Sequence, residues 1–188
     1  MSHTASLPLV TATLTALTLA TPQAHALPFT LDVSGTAQRV EVINPNGPVL
    51  RFVSQAEGQG SFGIKGYTST DIIHMANGQG SGTSRFLAAS GDELLGAFTV
   101  QLTPTDTPGS LVIEGLTQFL GGTGIFAGAT GSARLQGNGR FISETQALVQ
   151  FLHQGDLVLP EPASSALVAV GLAAASAASS RRRQRVAV

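Results

Sequence analysis

The chain has 188 residues, of which 43% are apolar and 11% charged, with a formal net charge of −1 and no cysteine. The missing thiols exclude Cys-ligated zinc, iron–sulfur clusters, CxxC redox chemistry and a cysteine nucleophile. Between residues 27 and 159 six basic residues stand against ten acidic ones. An acidic, lysine-poor stretch without a basic patch is the wrong surface for nucleic acid.

Residues 1–26 read as a secretory signal peptide. An apolar, Thr-rich stretch at 7–20 is followed by the small-x-small site Ala24-His25-Ala26, which predicts cleavage by signal peptidase after Ala26. The first six residues contain no Lys or Arg, so His3 and the amino terminus are the only cationic groups there.

Residues 27–159 are the length of one domain. Phe29, Leu31 and Val33 alternate with Thr30, Asp32 and Ser34, and Phe98, Val100 and Leu102 alternate with Thr99 and Gln101. Ala133 and Leu135 continue the pattern, as do Ala147, Val149 and Phe151. A period of two means strands with one buried and one wet face. Turn signals fall at Ser34-Gly35, Asn44–Pro48, Asn77-Gly78, Ser90-Gly91-Asp92, Pro104–Gly109 and Asn138-Gly139. No stretch holds a 3.6-residue apolar stripe over three turns. Short strands with frequent turns predict an all-β antiparallel sandwich or barrel, and the glycines inside the strands favour a single closed antiparallel barrel.

The glycine-rich segment 121–131 reads Gly-Gly-Thr-Gly-Ile-Phe-Ala-Gly-Ala-Thr-Gly. Gly121, Gly122 and Gly124 are expected at positive φ in a sharp corner, with Phe126 plugging a barrel end and Gly128 and Gly131 admitting neighbouring backbone. Together with the preceding Ala88–Gly96 segment, this motif resembles that of the allene oxide cyclase and dirigent-like barrel superfamily, over about residues 86–136. The resemblance implies a barrel of about eight strands. Allene oxide cyclases act without a cofactor on an epoxy fatty acid held in the barrel, and no cofactor is expected here.

Two look-alikes carry no nucleotide chemistry. Gly58-Gln59-Gly60-Ser61-Phe62-Gly63 and Gly122–Ala127 match G-x-G-x-x-G/A, but neither opens a helix that would hold a pyrophosphate. His74 and His153 are too few and too far apart for a metal site and are expected as partly exposed strand residues. Asp92-Glu93 are expected as solvated turn acids, and Tyr67 is the single tyrosine. No catalytic constellation is recognisable, so the expected catalytic and metal residues are none.

The C-terminal region, 160–185, has three parts. Pro160-Glu161-Pro162 is followed by an uncharged Ala-rich stretch at 163–180 and by Arg181, Arg182, Arg183 and Arg185. As a helix the middle part would extend about 27 Å, enough to cross a bilayer, and the arginines would hold its end in the cytoplasm. This order resembles the PEP-CTERM sorting signal of Gram-negative bacteria. The resemblance implies an exosortase that cuts near Pro160–Pro162, with transient inner-membrane anchoring before delivery to the outer envelope or beyond. The class is associated with exopolysaccharide and biofilm matrix, so the first expectation is a non-catalytic structural, polysaccharide-associated or small-ligand-binding protein. The alternative is a cofactor-free cyclase or isomerase acting on an apolar small molecule inside the barrel.

Overall fold

The computed structural model describes residues 25–160. Ala24, Glu161, Pro162, the candidate span at 163–180 and the arginine cluster lie outside the described residues. Eight strands follow one another: β1 (Ala26–Asn44), β2 (Val49–Gly60), β3 (Ile64–His74), β4 (Gln79–Ala88), β5 (Glu93–Pro104), β6 (Ser110–Gly122), β7 (Thr130–Phe141) and β8 (Gln146–Val158). Each pairs antiparallel with the next, and β1 pairs with β8 from Ala26↔Val158 to Gln38↔Gln146, which closes the barrel. Closure leaves no strand edge with unpaired backbone groups.

The pairing fixes the barrel's shape. From Leu50 on β2 the register runs through Ile73, Gly80, Val100, Gly115, Leu135, His153 and Leu31, and returns to β2 at Gly60, ten residues further along. An eight-stranded sheet with that stagger tilts its strands by roughly 40° and encloses an interior that side chains can just fill. The alternating apolar residues supply that filling. Phe29, Leu31, Val33, Phe98, Val100, Leu135, Val149 and Phe151 all point inward and are buried.

The two ends differ. At the end where β1 begins and β8 finishes, Phe29, Phe86 and Phe119 form an edge-on cluster with centroids 4.7–5.9 Å apart. Beneath them the turn Gly124–Phe126 inserts Phe126, fully buried, with its ring 6.1 Å from and perpendicular to that of Phe62. Phe62 itself sits in the turn Ser61–Gly63 at φ 60°. This end is closed.

Two expected turns are strand interior. Gly35 lies within β1, facing inward, where a Cβ would overlap the carbonyl of Gln55. Its hydrogen side chain lets β1 and β2 cross closely. Asn138-Gly139 lies within β7, and the chain reverses instead at 142–145, where Ser143 Oγ accepts from the amides of Thr145 (3.3 Å) and Gln146 (3.1 Å).

Gly124 sits at φ 54°, and a Cβ there would overlap the Asp92 carboxylate. Gly124→Val is expected to destabilise the fold by about 1–3 kcal/mol through backbone strain alone. Removing the plug in Phe126→Ala is expected to cost roughly 3–5 kcal/mol. Urea unfolding followed by far-ultraviolet circular dichroism checks both, and wild-type midpoints in the two variants would contradict the plug.

Candidate functional site

The other end of the barrel, flanked by the turns 45–48, 75–78, 105–109 and 142–145, opens into a cavity. Its walls near the rim are apolar, made by Ile73, Met75, Leu102, Leu111, Ile113 and Phe141. Deeper lie Phe98, Leu135, Val149 and Phe151, with Ser54, Tyr67, Ser69 and Asp71 on one side. The cavity volume is about 60 Å³, narrow beside the roughly 300 Å³ and more of a drug-sized cleft. Tyr67 and Ile73 are six residues apart on β3, which at about 3.3 Å per residue and 40° of tilt is a depth of roughly 15 Å.

Strand parity places the polar groups. Tyr67, Ser69, Asp71 and Ile73 share the inner face of β3, while Lys65, Thr68, Thr70 and His74 are exposed. Ser54 on β2 is opposite Ser69, and Ser69 is opposite Ser84 on β4. The row continues to Gly96 on β5. A Cβ on Gly96 would stand 2.8 Å from both Ser84 Oγ and Thr117 Cγ2, so this glycine leaves those two side chains side by side. Ser54, Ser69, Ser84 and Thr117 are all buried.

His153 corrects the expectation of an exposed strand histidine. It is fully buried, with its ring 5.4 Å from Tyr67 and 5.3 Å from Phe86. The reason is parity: His153 lies two residues beyond Phe151 on the inner face of β8. Neither ring nitrogen has a hydrogen-bond partner, and the same holds for Ser84 Oγ and Thr117 Oγ1. A buried polar group left unpaired costs about 1–3 kcal/mol. Such groups are rare in folded proteins, and each calls for its own physical reason.

Burial sets the titration of the ionisable groups. It holds the His153 imidazole down to about 4 and raises the Tyr67 phenol well above its usual range. It pushes Asp71 up to about 6, against the opposing hydrogen bond from Ser69 Oγ to Asp71 Oδ1 at 3.3 Å. Among the described residues no Lys or Arg lines the cavity. Glu41–Arg51 (3.1 Å) and Glu114–Arg134 (3.2 Å) pair on the outer surface. Asp71 therefore faces the cavity without a cation.

The glycine motif lies at the closed end, away from this cavity. Gly121, Gly124, Gly128 and Gly131 have φ of 89°, 54°, 72° and 126°. Gly122 does not share the expected positive φ; it lies in β6, where a Cβ would overlap the carbonyl of Glu93. Close backbone approach is its role. Asp92 and Glu93 are partly buried and serve as clamps: Ser90 Oγ donates to Asp92 at 3.0 Å and Arg85 pairs with Glu93 at 3.3 Å. The Glu93 amide donates to Thr123 Oγ1 at 2.9 Å, which ties that turn to the glycine motif. Ala26 pairs with Val158, and Pro160 Cγ lies 3.1 Å from where a Cβ on Gly128 would stand. Among the described residues no group of three or more His, Asp or Glu is placed to hold a metal ion.

Comparison of the chain with protein-family models, curated proteins and solved structures finds no match.

The two inner ionisable groups have opposite pH dependences. His153, at about 4 when folded against an ordinary 6.5, adds stability as pH rises from about 4 to 6.5. Asp71, at about 6 against 3.8, removes stability as pH rises from 3.8 to about 6. Each shift corresponds to roughly 3 kcal/mol at most, less for the partly exposed Asp71. Wild-type stability is thus expected to be nearly flat between pH 4 and 6, whereas Asp71→Asn climbs with pH across that window and His153→Leu declines. Urea midpoints at half-unit pH intervals check this, and parallel profiles for all three proteins would refute it.

Proposed function

We propose that this chain is an exported, non-catalytic barrel that holds one slender, mainly apolar molecule in the open half of its interior. The observation that carries this reading is the division of the barrel. One end is packed solid around Phe126, and the other is an apolar shaft with Ser54, Ser69 and Asp71 converging on one wall. A purely structural module has no need of an open shaft or of buried polar groups without partners, because a filled interior is more stable.

Export is supported by the N-terminal segment with its Ala24-His25-Ala26 site and by the ordered tail of Pro-Glu-Pro, apolar stretch and arginines. The barrel geometry suits that route. Ala26 and Pro160 leave from the same closed end, on neighbouring strands. A precursor held in the inner membrane by the tail would present its open mouth away from the bilayer, accessible to a ligand throughout processing. Release by an exosortase would then leave the cavity unchanged. The Thr, Ser and Gln residues of the outer strand faces suit a hydrated matrix.

Catalysis is the second reading, and one observation favours it. Asp71, pushed up to about 6 by burial and hydrogen-bonded to Ser69, is suited to exchange a proton with a bound molecule near neutral pH. It is a single acid–base group, and the Tyr67 phenol beside it stays protonated and serves only as a donor. Binding is therefore the better-supported reading.

Purification from the native host tests both parts together. Intact-mass analysis is expected to show a chain beginning at Leu27 and lacking Arg181–Val188. Organic extraction with gas chromatography and mass spectrometry is expected to release one apolar compound at near-equimolar yield, reduced at least about tenfold in Ala147→Trp, which blocks the shaft. A mass that retains the arginines would refute the sorting proposal. An extract identical in the blocked variant would refute the binding proposal.

A further inference from the structure

The polarity of the cavity is inverted. A shaft that receives the tail of an amphiphile is expected to be apolar at its floor and polar at its rim, so that the head group stays in water. Here the rim is apolar, with Met75, Leu102 and Phe141, and the polar side chains lie at mid-barrel. Ser54 and Ser69 face the cavity, Ser84 continues their row, and Thr117 flanks Ser84 across Gly96. Behind that lining the hydroxyls of Ser84 and Thr117 are buried to 95% or more and have no partner among the described residues.

Resting on the binding reading above, we propose that the ligand is a straight-chain molecule ending in one uncharged hydroxyl or carbonyl group, and that it enters head first. The head hydrogen-bonds to Ser54 and Ser69 on the inner wall, and the alkyl tail lies against the apolar rim.

Three features select that class. The cavity of about 60 Å³ admits a single extended chain and leaves no room for a branched or fused-ring skeleton. Ser54 and Ser69 put neutral hydroxyls on the cavity wall, which both donate and accept and so match a head group of the same kind. A carboxylate head is disfavoured, because no Lys or Arg lines the shaft and Asp71 stands on its wall, 3.3 Å from Ser69 Oγ. The charged groups on the outer face nearest that wall, Arg51 and Arg85, are held by Glu41 and Glu93 and do not reach inside.

Tyr67 gives a direct reporter. It is the only tyrosine in a chain without tryptophan, and its ring lines the cavity. Tyrosine emission of the full chain is titrated with 1-octanol, octanoate and octane at pH 8. The expected result is saturable binding of 1-octanol, with octanoate and octane each at least about tenfold weaker. The double variant Ser54→Ala/Ser69→Ala is expected to weaken 1-octanol about tenfold and to leave octane unchanged. Both substitutions remove a hydroxyl and keep the side chain small, so the fold is retained. Octanoate or octane binding as tightly as 1-octanol overturns the head-first assignment alone, and so does an unaltered 1-octanol affinity in the double variant. Failure of all three probes to change the emission overturns the binding reading together with it.

Discussion

Everything in this structure depends on the closure of β1 onto β8. Thirteen consecutive residue pairs, from Ala26↔Val158 to Gln38↔Gln146, join the first strand to the last. Closure removes both sheet edges, and its ten-residue stagger sets the tilt and the bore. Once the bore is fixed, the residue at each inner position decides whether that level is filled or hollow. Phenylalanine and leucine fill the lower levels. Serine, glycine and alanine at Ser54, Ser69, Gly139 and Ala147 leave the upper half open. The closing strand also has a mechanical consequence. It brings the two points where processing is proposed to the plugged end, so cutting the chain there does not disturb the mouth.

The interior divides its duties along the barrel axis. The closed half supplies stability: three phenylalanine rings pack edge to face, Phe126 seals the base, and the β4–β5 turn is tied to the glycine motif through Thr123. The open half gives stability up at Asp71, which faces the cavity without a cation. Below the cavity, His153 lies neutral among aromatic rings with no hydrogen-bond partner among the described residues. Isolated costs of this kind are tolerated when the rest of the fold over-determines the structure, and they concentrate at sites that act on something.

The apolar half of the fold was legible in the sequence, and the polar half was not. Phe29, Leu31 and Val33 alternate with polar residues, so period two announces the inner face and the all-β barrel. Ser54, Ser69 and Ser84 sit in the runs Val53-Ser54-Gln55, Thr68-Ser69-Thr70 and Thr83-Ser84-Arg85. With polar residues on both faces of β3 and β4, and Val53 outside beside an inward Ser54, alternation vanishes, and only strand register shows that the three serines form one row. His153 could have been found by extending the parity of Val149 and Phe151 by one step. Gly35 and Asn138-Gly139 misled because a glycine beside a polar residue signals a turn locally, whereas in a coiled strand it answers to the neighbouring backbone or the hollow interior. The same ambiguity separates Gly124, a true left-handed corner, from Gly122, a point of close strand approach.

The central claim is that one half of the barrel is solid and the other receives a ligand. Methyl-resolved nuclear magnetic resonance of the Ile, Leu and Val side chains, recorded with and without 1-octanol, tests it most directly. The account predicts that shifts are confined to Ile73, Val100, Leu102, Leu111, Ile113, Leu135 and Val149, while Leu31, Ile64, Leu94 and Leu157 around the plug stay unmoved. Shifts centred on the plugged half, or only on outward-facing methyls such as those of Leu116 and Leu120, would contradict it.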